Sequence, residues 1–244
     1  MSKNVLIIGK DFPSCGEFAE GMMLSENNVA VAGFDDKVQA KVPETLKIIE
    51  WNKGSAVSAK STVIKAETVL GHTDDFILYF DSAWFASKFT EFSSSVCASA
   101  ADELIFSYQY MTLEILNRIK QKKAPARIVF VLKSQPSVKD AEFNPSLKNS
   151  VEIPSNAFVA ASEAAFATFA ENTAVLSSAE QNLSVLLVCG DNANETMQKE
   201  SGFASWLSGY IDALDNLKSR PSVKVQANWI KAGAKNPGGF GLFK

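Results

Sequence analysis

The chain has one histidine, His72, among 244 residues. A single imidazole excludes a His-rich metal site, a zinc finger and any mechanism that needs two histidines. Cysteine is nearly as scarce: Cys15, Cys97 and Cys189 are far apart, odd in number and without a C-x-x-C spacing. That pattern predicts reduced thiols in a cytoplasmic protein rather than a disulfide framework, and no metal centre. A long apolar run is missing too, so no membrane span is expected. The four residues Val5–Ile8 that follow Met1–Asn4 are too short for a signal-peptide core. Positive charge is not in excess, with 24 Lys and Arg against 27 Asp and Glu, which argues against a nucleic-acid partner. Any chemistry here must run on Tyr, Lys, Ser and carboxylates.

What the chain does have is a 46% hydrophobic composition, enough at this length to bury a full core in one domain spanning 1–244. Short apolar runs rich in β-branched residues recur at Val5–Ile8, Val29–Ala32, Leu46–Trp51, Phe76–Phe80, Ile128–Leu132, Leu183–Val188 and Val223–Val225. Continuous rather than alternating hydrophobicity predicts strands covered on both faces. Helical spacing lies between them. Phe18, Met22 and Met23 fit a first helix, and Leu104, Tyr108, Met111, Ile115 and Ile119 a long stripe. Phe158, Ala161, Ala165, Phe169 and Val175 suggest another, and Phe203, Leu207, Ile211 and Leu214 a last one. The alternation predicts an α/β fold: a doubly wound, mostly parallel, seven-stranded Rossmann-like sheet with helices on both faces. Prolines and lysines predict a long surface loop over 134–154, and glycines and lysines a C-terminal tail over 229–244. Phe240, Leu242 and Phe243 would be stranded in water if that tail were free.

In such a sheet, ligands sit beyond the carboxyl ends of the strands, where strand order reverses. The first strand runs into Gly9-Lys10-Asp11-Phe12-Pro13-Ser14-Cys15-Gly16, and a helix begins near Glu17. Backbone N–H groups in such a turn can approach a pyrophosphate, and the helix N-terminus favours its charge. Gly9, Lys10, Phe12, Ser14 and Gly16 are therefore the candidate cofactor-binding residues. Against them, Pro13 removes a donor, and Asp11 and Glu17 bring negative charge that Lys10 offsets in part. Strand–turn–helix junctions with two glycines are also common in any α/β fold. After the second strand, Asp35 in Gly33-Phe34-Asp35-Asp36 could accept hydrogen bonds from a ribose and would repel a 2′-phosphate. That makes NAD slightly preferred over NADP; a plain turn explains Asp-Asp equally well.

The arrangement resembles the short-chain dehydrogenase/reductase family over nearly its full length. Val5 through Gly9, then Gly16-Glu17-Phe18-Ala19-Glu20, is similar to that family's T-G-x-x-x-G-x-G turn and first helix. Asp75–Leu78 resembles the start of its fourth strand and Arg127–Val131 its fifth. Asn156–Phe166 resembles the helix that carries Y-x-x-x-K, and Val185–Gly190 the strand ending in Pro-Gly. The departures are systematic. Ile8 replaces the threonine, Pro13 or Cys15 the middle glycines, and Tyr79-Phe80-Asp81-Ser82 the N-N-A-G. The catalytic serine position falls on Lys133, or on Ser134 with a slip of one. Phe158 stands in the tyrosine's place and Ser162 in the lysine's.

The resemblance implies hydride transfer with a tyrosine acid/base and an activating lysine, each worth several kcal/mol of barrier. Phe158 has no ionisable proton and Ser162 no charge. The expectation is thus a catalytically impaired relative that still binds a nucleotide or small acidic ligand, or serves as an assembly partner. The alternative is a diverged NAD(P)-dependent oxidoreductase with relocated groups, for which Lys133, Ser134 and Tyr79 are the candidates. The family also implies a homo-oligomer through helices around 102–120 and 156–178. Phe106, Tyr110, Leu113 and Leu116, with the many alanines between Ala157 and Ala167, would supply its surface.

Overall fold

Six of the continuous apolar runs become strands, and a short seventh strand joins them side by side. The computed structural model describes residues 2–135, 156–217 and 227–237. The strands are β1 (Asn4–Phe12), β2 (Asn28–Phe34), β3 (Lys47–Ile49), β4 (Asp75–Asp81), β5 (Ala126–Ser134), β6 (Leu183–Asp191) and β7 (Ile230–Lys231). They form one sheet in the order β3-β2-β1-β4-β5-β6-β7, with every pair parallel. Strand order reverses between β1 and β4, which sets the ligand crevice of a doubly wound sheet at their carboxyl ends.

The helices are α1 (Gly16–Leu24), α2 (Ala56–Leu70), α3 (Ser82–Lys88), α4 (Ser94–Ala101), α5 (Ser107–Lys122), α6 (Ala157–Leu176), α7 (Glu195–Gln198) and α8 (Glu200–Asp215). Alternate residues of β1 and β4 sort to opposite sides. Leu6, Ile8, Leu78 and Phe80 pack under α2, α5 and α6, while Val5, Ile7, Ile77 and Tyr79 pack under α1 and α8. Helix α1 lies very close to α8 because Gly21 carries no side chain; a Cβ there would strike the backbone of Ser201. That contact places the first residue of α8, Glu200, beside the crevice. Helices α4 and α5 are joined by a π-helical turn, Asp102–Phe106. Such turns re-aim side chains, and this one carries Glu103. None of the described helices is long and apolar enough to cross a membrane.

Several sequence expectations shift. The strand expected at Val223–Val225 lies outside the described residues. The seventh strand is Ile230–Lys231, inside the expected tail, where it covers the open edge of β6. Residues beyond it are tied down: the Ala232 N–H donates to Cys189 O at 2.8 Å, and Trp206 Nε1 donates to Ala234 O at 3.1 Å. Residues 238–244, with Phe240, Leu242 and Phe243, are outside the described set. Of the expected surface loop, Ser134 instead ends β5, paired with Asp191, and 136–155 fall outside. Helix α6 turns a different stripe inward from the expected one. Val159, Ser162, Phe166, Ala170 and Thr173 are buried, whereas Val175 is exposed. Alanine on every side gives this helix little amphipathic contrast, so packing decides its rotation.

Candidate functional site

Strand β1 does not stop at Gly9. It runs on to Phe12, which rejoins β2 opposite Phe34 after an irregularity, and the two rings stack at 6.2 Å. The Phe12–Pro13 bond is cis. Only Pro13, Ser14 and Cys15 separate β1 from α1, and two donors at this turn are already used: Cys15 N–H donates to Asp11 O and Gly16 N–H to Pro13 O. Gly9 is indispensable for a separate reason. Its φ is +142°, and a Cβ would collide with the Tyr79 carbonyl on β4. That carbonyl also accepts a 2.8 Å hydrogen bond from the Tyr108 hydroxyl.

Two groups of charges line the crevice. In the first, Lys10 is only 4% exposed and its ammonium sits 3.1 Å from Asp81 Oδ2 and against Glu200 Oε1. The same ammonium lies 4.8 Å above the Tyr79 ring. Burial pulls the Lys10 pKa down, but Asp81 and Glu200 more than reverse this and leave it raised. Lys133 is 3.9 Å from Asp81 Oδ2. The second group surrounds Lys53, from the segment between β3 and α2. Its ammonium donates to Gly9 O at 3.0 Å and to Asp11 Oδ2 at 3.0 Å, with Glu103 Oε2 at 3.9 Å. The rings of Trp51 and Trp84 each lie 5.6 Å from it. Lys88 closes the group, 2.6 Å from Glu103.

The residues expected to bind a cofactor are thus distributed as follows. Gly9 lies within β1, Lys10 is committed to two carboxylates, and Phe12 is buried. Ser14 is exposed, and Gly16 opens α1. Asp35 makes a local turn, its Oδ1 accepting from Lys37 N–H at 3.1 Å. Among the catalytic candidates, Tyr79 points under α1 and α8, away from α6. Burial and the charges of Glu200 and Asp81 push its phenol well above the usual range. Ser134 donates to Gly190 O at 3.1 Å. Tyr79 and Lys133 both border the Lys10, Asp81 and Glu200 group, whereas Ser134 is bonded to β6. Nor does Cys15 offer a nucleophile, since burial pushes its thiol up to about 12.

At the positions that resemble the family's tyrosine and lysine, the Phe158 ring stacks on Phe92 at 4.8 Å, and the buried Ser162 hydroxyl donates to Phe158 O at 2.8 Å. The next residue, Glu163, accepts from the Ser82 hydroxyl at 2.5 Å. Burial raises its pKa, against the opposing hydrogen bonds of Ser82 and the Gln135 backbone. Lys53, Asp81, Glu103, Glu163 and Glu200 all escape sequence reasoning, because each comes from a different element. Only the Trp51-Asn52-Lys53-Gly54 interruption after β3 gives a local signal.

A nicotinamide dinucleotide is the group this fold suggests, and the residues present do not fit it. A pyrophosphate belongs at the turn before α1 and a ribose at the end of β2. Lys53 is bound to the Gly9 carbonyl on the strand that leads into the first place, where Cys15 and Gly16 N–H groups are already used within the turn. Asp11 lies against Gly33 at the second, where a Cβ on Gly33 would overlap its carboxylate.

No family model and no curated protein sequence matches the chain. Solved structures do. A short chain dehydrogenase from Mycobacterium smegmatis aligns with a TM-score of 0.64 at 10% identity, covering 97% of this chain and 94% of that one. Actinorhodin polyketide ketoreductase, solved with NADPH, gives 0.58 at 12% identity, covering 94% and 95%. The 3-ketoacyl-(acyl-carrier-protein) reductase from Brucella melitensis, complexed with NADH, gives 0.58 at 11% identity, covering 94% and 96%. At these identities the likeness establishes the fold: this chain has the Rossmann-like architecture of short-chain dehydrogenases.

Proposed function

We propose that the protein is a short-chain dehydrogenase/reductase-like scaffold of the cytoplasm that has lost hydride transfer and acts as an assembly partner. The observation that carries this reading is the chemistry at Phe158 and Ser162. A benzyl ring stacked on Phe92 cannot donate a proton, and a buried hydroxyl bonded to its own helix cannot lower the pKa of one. A relocated acid is disfavoured by burial: Tyr79 is 1% exposed and its hydroxyl faces Glu200 at 3.4 Å. In an assay of NADH and NADPH oxidation against a panel of ketones and aldehydes, the purified protein is expected to give no rate above background. A robust turnover that Tyr79→Phe or Ser134→Ala abolishes would overturn the reading.

Assembly is favoured by what the helices leave uncovered. Phe106 and Leu113 are exposed on the π-helical turn and α5, with Tyr110 stacked on Phe106. Ala157, Ala161 and Ala164 form a smooth outer face on α6. A self-complementary pairing of these helices would bury the apolar side chains without long side chains in the way. The protein is expected to elute as a homo-oligomer in size-exclusion chromatography with light scattering, and Leu113→Asp to shift it toward monomer. A native protein that is monomeric at micromolar concentration removes this part of the proposal.

A further inference from the structure

Among the described residues, the crevice at the carboxyl ends of β1, β2 and β4 pairs its own charges. Four ammonium groups (Lys10, Lys53, Lys88, Lys133) face four carboxylates (Asp11, Asp81, Glu103, Glu200). A pyrophosphate entering here would bring negative charge to a neutral set. To gain a cation it must compete with Asp11 or Glu103, whose carboxylates already pair with Lys53 and Lys88. The cations are held by more than charge. Lys53 also donates to Gly9 O and stands between the Trp51 and Trp84 rings, while Lys88 lies 5.4 Å from the same Trp84 ring. Trp51 follows β3 and Trp84 follows β4, so the two indoles flank the crevice from both sides. Asp11 reaches across the end of β2 to Gly33.

We infer that the chain's own side chains hold the place of the dinucleotide, with Lys53 and Lys88, tied to Asp11 and Glu103 between Trp51 and Trp84, standing where its adenosine and pyrophosphate would lie, so that the protein folds and works without a nicotinamide cofactor. The inference rests on the scaffold reading above for its choice of ligand, and it can fail alone. Internal ion pairs here replace a ligand as the element that joins β1, the β3–α2 segment, α3 and the π-helical turn.

Isothermal titration of the native protein with NAD, NADH, NADP and NADPH up to millimolar concentration is expected to give no saturable heat. Saturable binding of any of the four overturns the inference, even where no turnover accompanies it; in that case the loss of hydride transfer still stands. In parallel, Lys53→Met should lower the melting temperature by roughly 5 °C, because Asp11 and Glu103 then share the single Lys88, while relief of the burial that pulls the Lys53 pKa down offsets part of the loss. A melting temperature unchanged to within about 2 °C would mean that Lys53 is a solvated loop lysine, and the self-filled crevice is then wrong. Should the variant not fold, the titration of native protein decides the question by itself.

Discussion

Lys10→Met lowers the free energy of unfolding by about 3–5 kcal/mol, the cost of removing one partner from a buried ion pair. The substitution keeps most of the side-chain volume, so a packing defect contributes little. What it removes is the only cation in direct contact with both Asp81 and Glu200 among the described residues; Lys133 is 3.9 Å from Asp81. Asp81 is fixed in place by a second duty, since its Oδ1 accepts the Trp84 N–H and caps α3. It cannot swing out to water without uncapping that helix. Glu200 is held by the close α1–α8 contact at Gly21. Urea denaturation of native protein and variant gives the difference directly. Adding Asp81→Asn and Glu200→Gln should recover part of the loss, because the uncompensated charges go. A loss below about 1 kcal/mol would mean that water screens the pair as at a surface.

The pH dependence of the same comparison has a definite sign. The folded-state pKa of Lys10 is raised by Asp81 and Glu200 against the pull of burial. A raised lysine pKa contributes stability that is fully present below the unfolded value and is lost as pH rises through the folded one. The gap between native protein and Lys10→Met therefore holds steady through the neutral range and closes only under strongly alkaline conditions. A gap that closed on mild acidification would point to the carboxylates instead.

The strands were legible because burial on both faces leaves an unbroken apolar signature that needs no partner to be recognised. Val5–Ile8 and Ile128–Leu132 mark β1 and β5 by themselves. Their carboxyl ends were not, because polar residues there continue the strand for reasons found elsewhere in the chain. Lys10 extends β1 because Asp81 and Glu200 receive it, and they lie 71 and 190 residues away. The same distance hides the candidate site. Pro13 and Asp11 break the glycine pattern in the sequence itself, yet Lys53, whose ammonium reaches the Gly9 carbonyl, belongs to another connection. The edge strand β7 is the opposite case. Ile230–Lys231 is too short to carry a pattern, and it is a strand only because β6 offers it an edge.

Helix α6 gives the second large effect. Phe166→Ala should cost about 3–5 kcal/mol in denaturation, while Phe158→Ala on the same helix should cost about 1 kcal/mol. The two phenylalanines are indistinguishable by type and lie eight positions apart, so only their surroundings separate them. Phe166 is 3% exposed, and its ring contacts Phe80 at 5.2 Å, Tyr108 at 4.9 Å and Phe130 at 5.7 Å. It is the common member that joins β4, β5 and α5 beneath α6, and its removal leaves a cavity that rigid strand neighbours cannot close. Phe158 is half-buried and stacks on Phe92, which is 77% exposed, so truncation leaves its site open to water rather than empty. The ranking also tests the functional reading. If Phe158 were instead the ring that organises this end of the sheet, its truncation would match that of Phe166. The position that resembles a catalytic tyrosine would then have been taken over by the core. A small cost leaves it a surface aromatic, lost to chemistry and available to a partner.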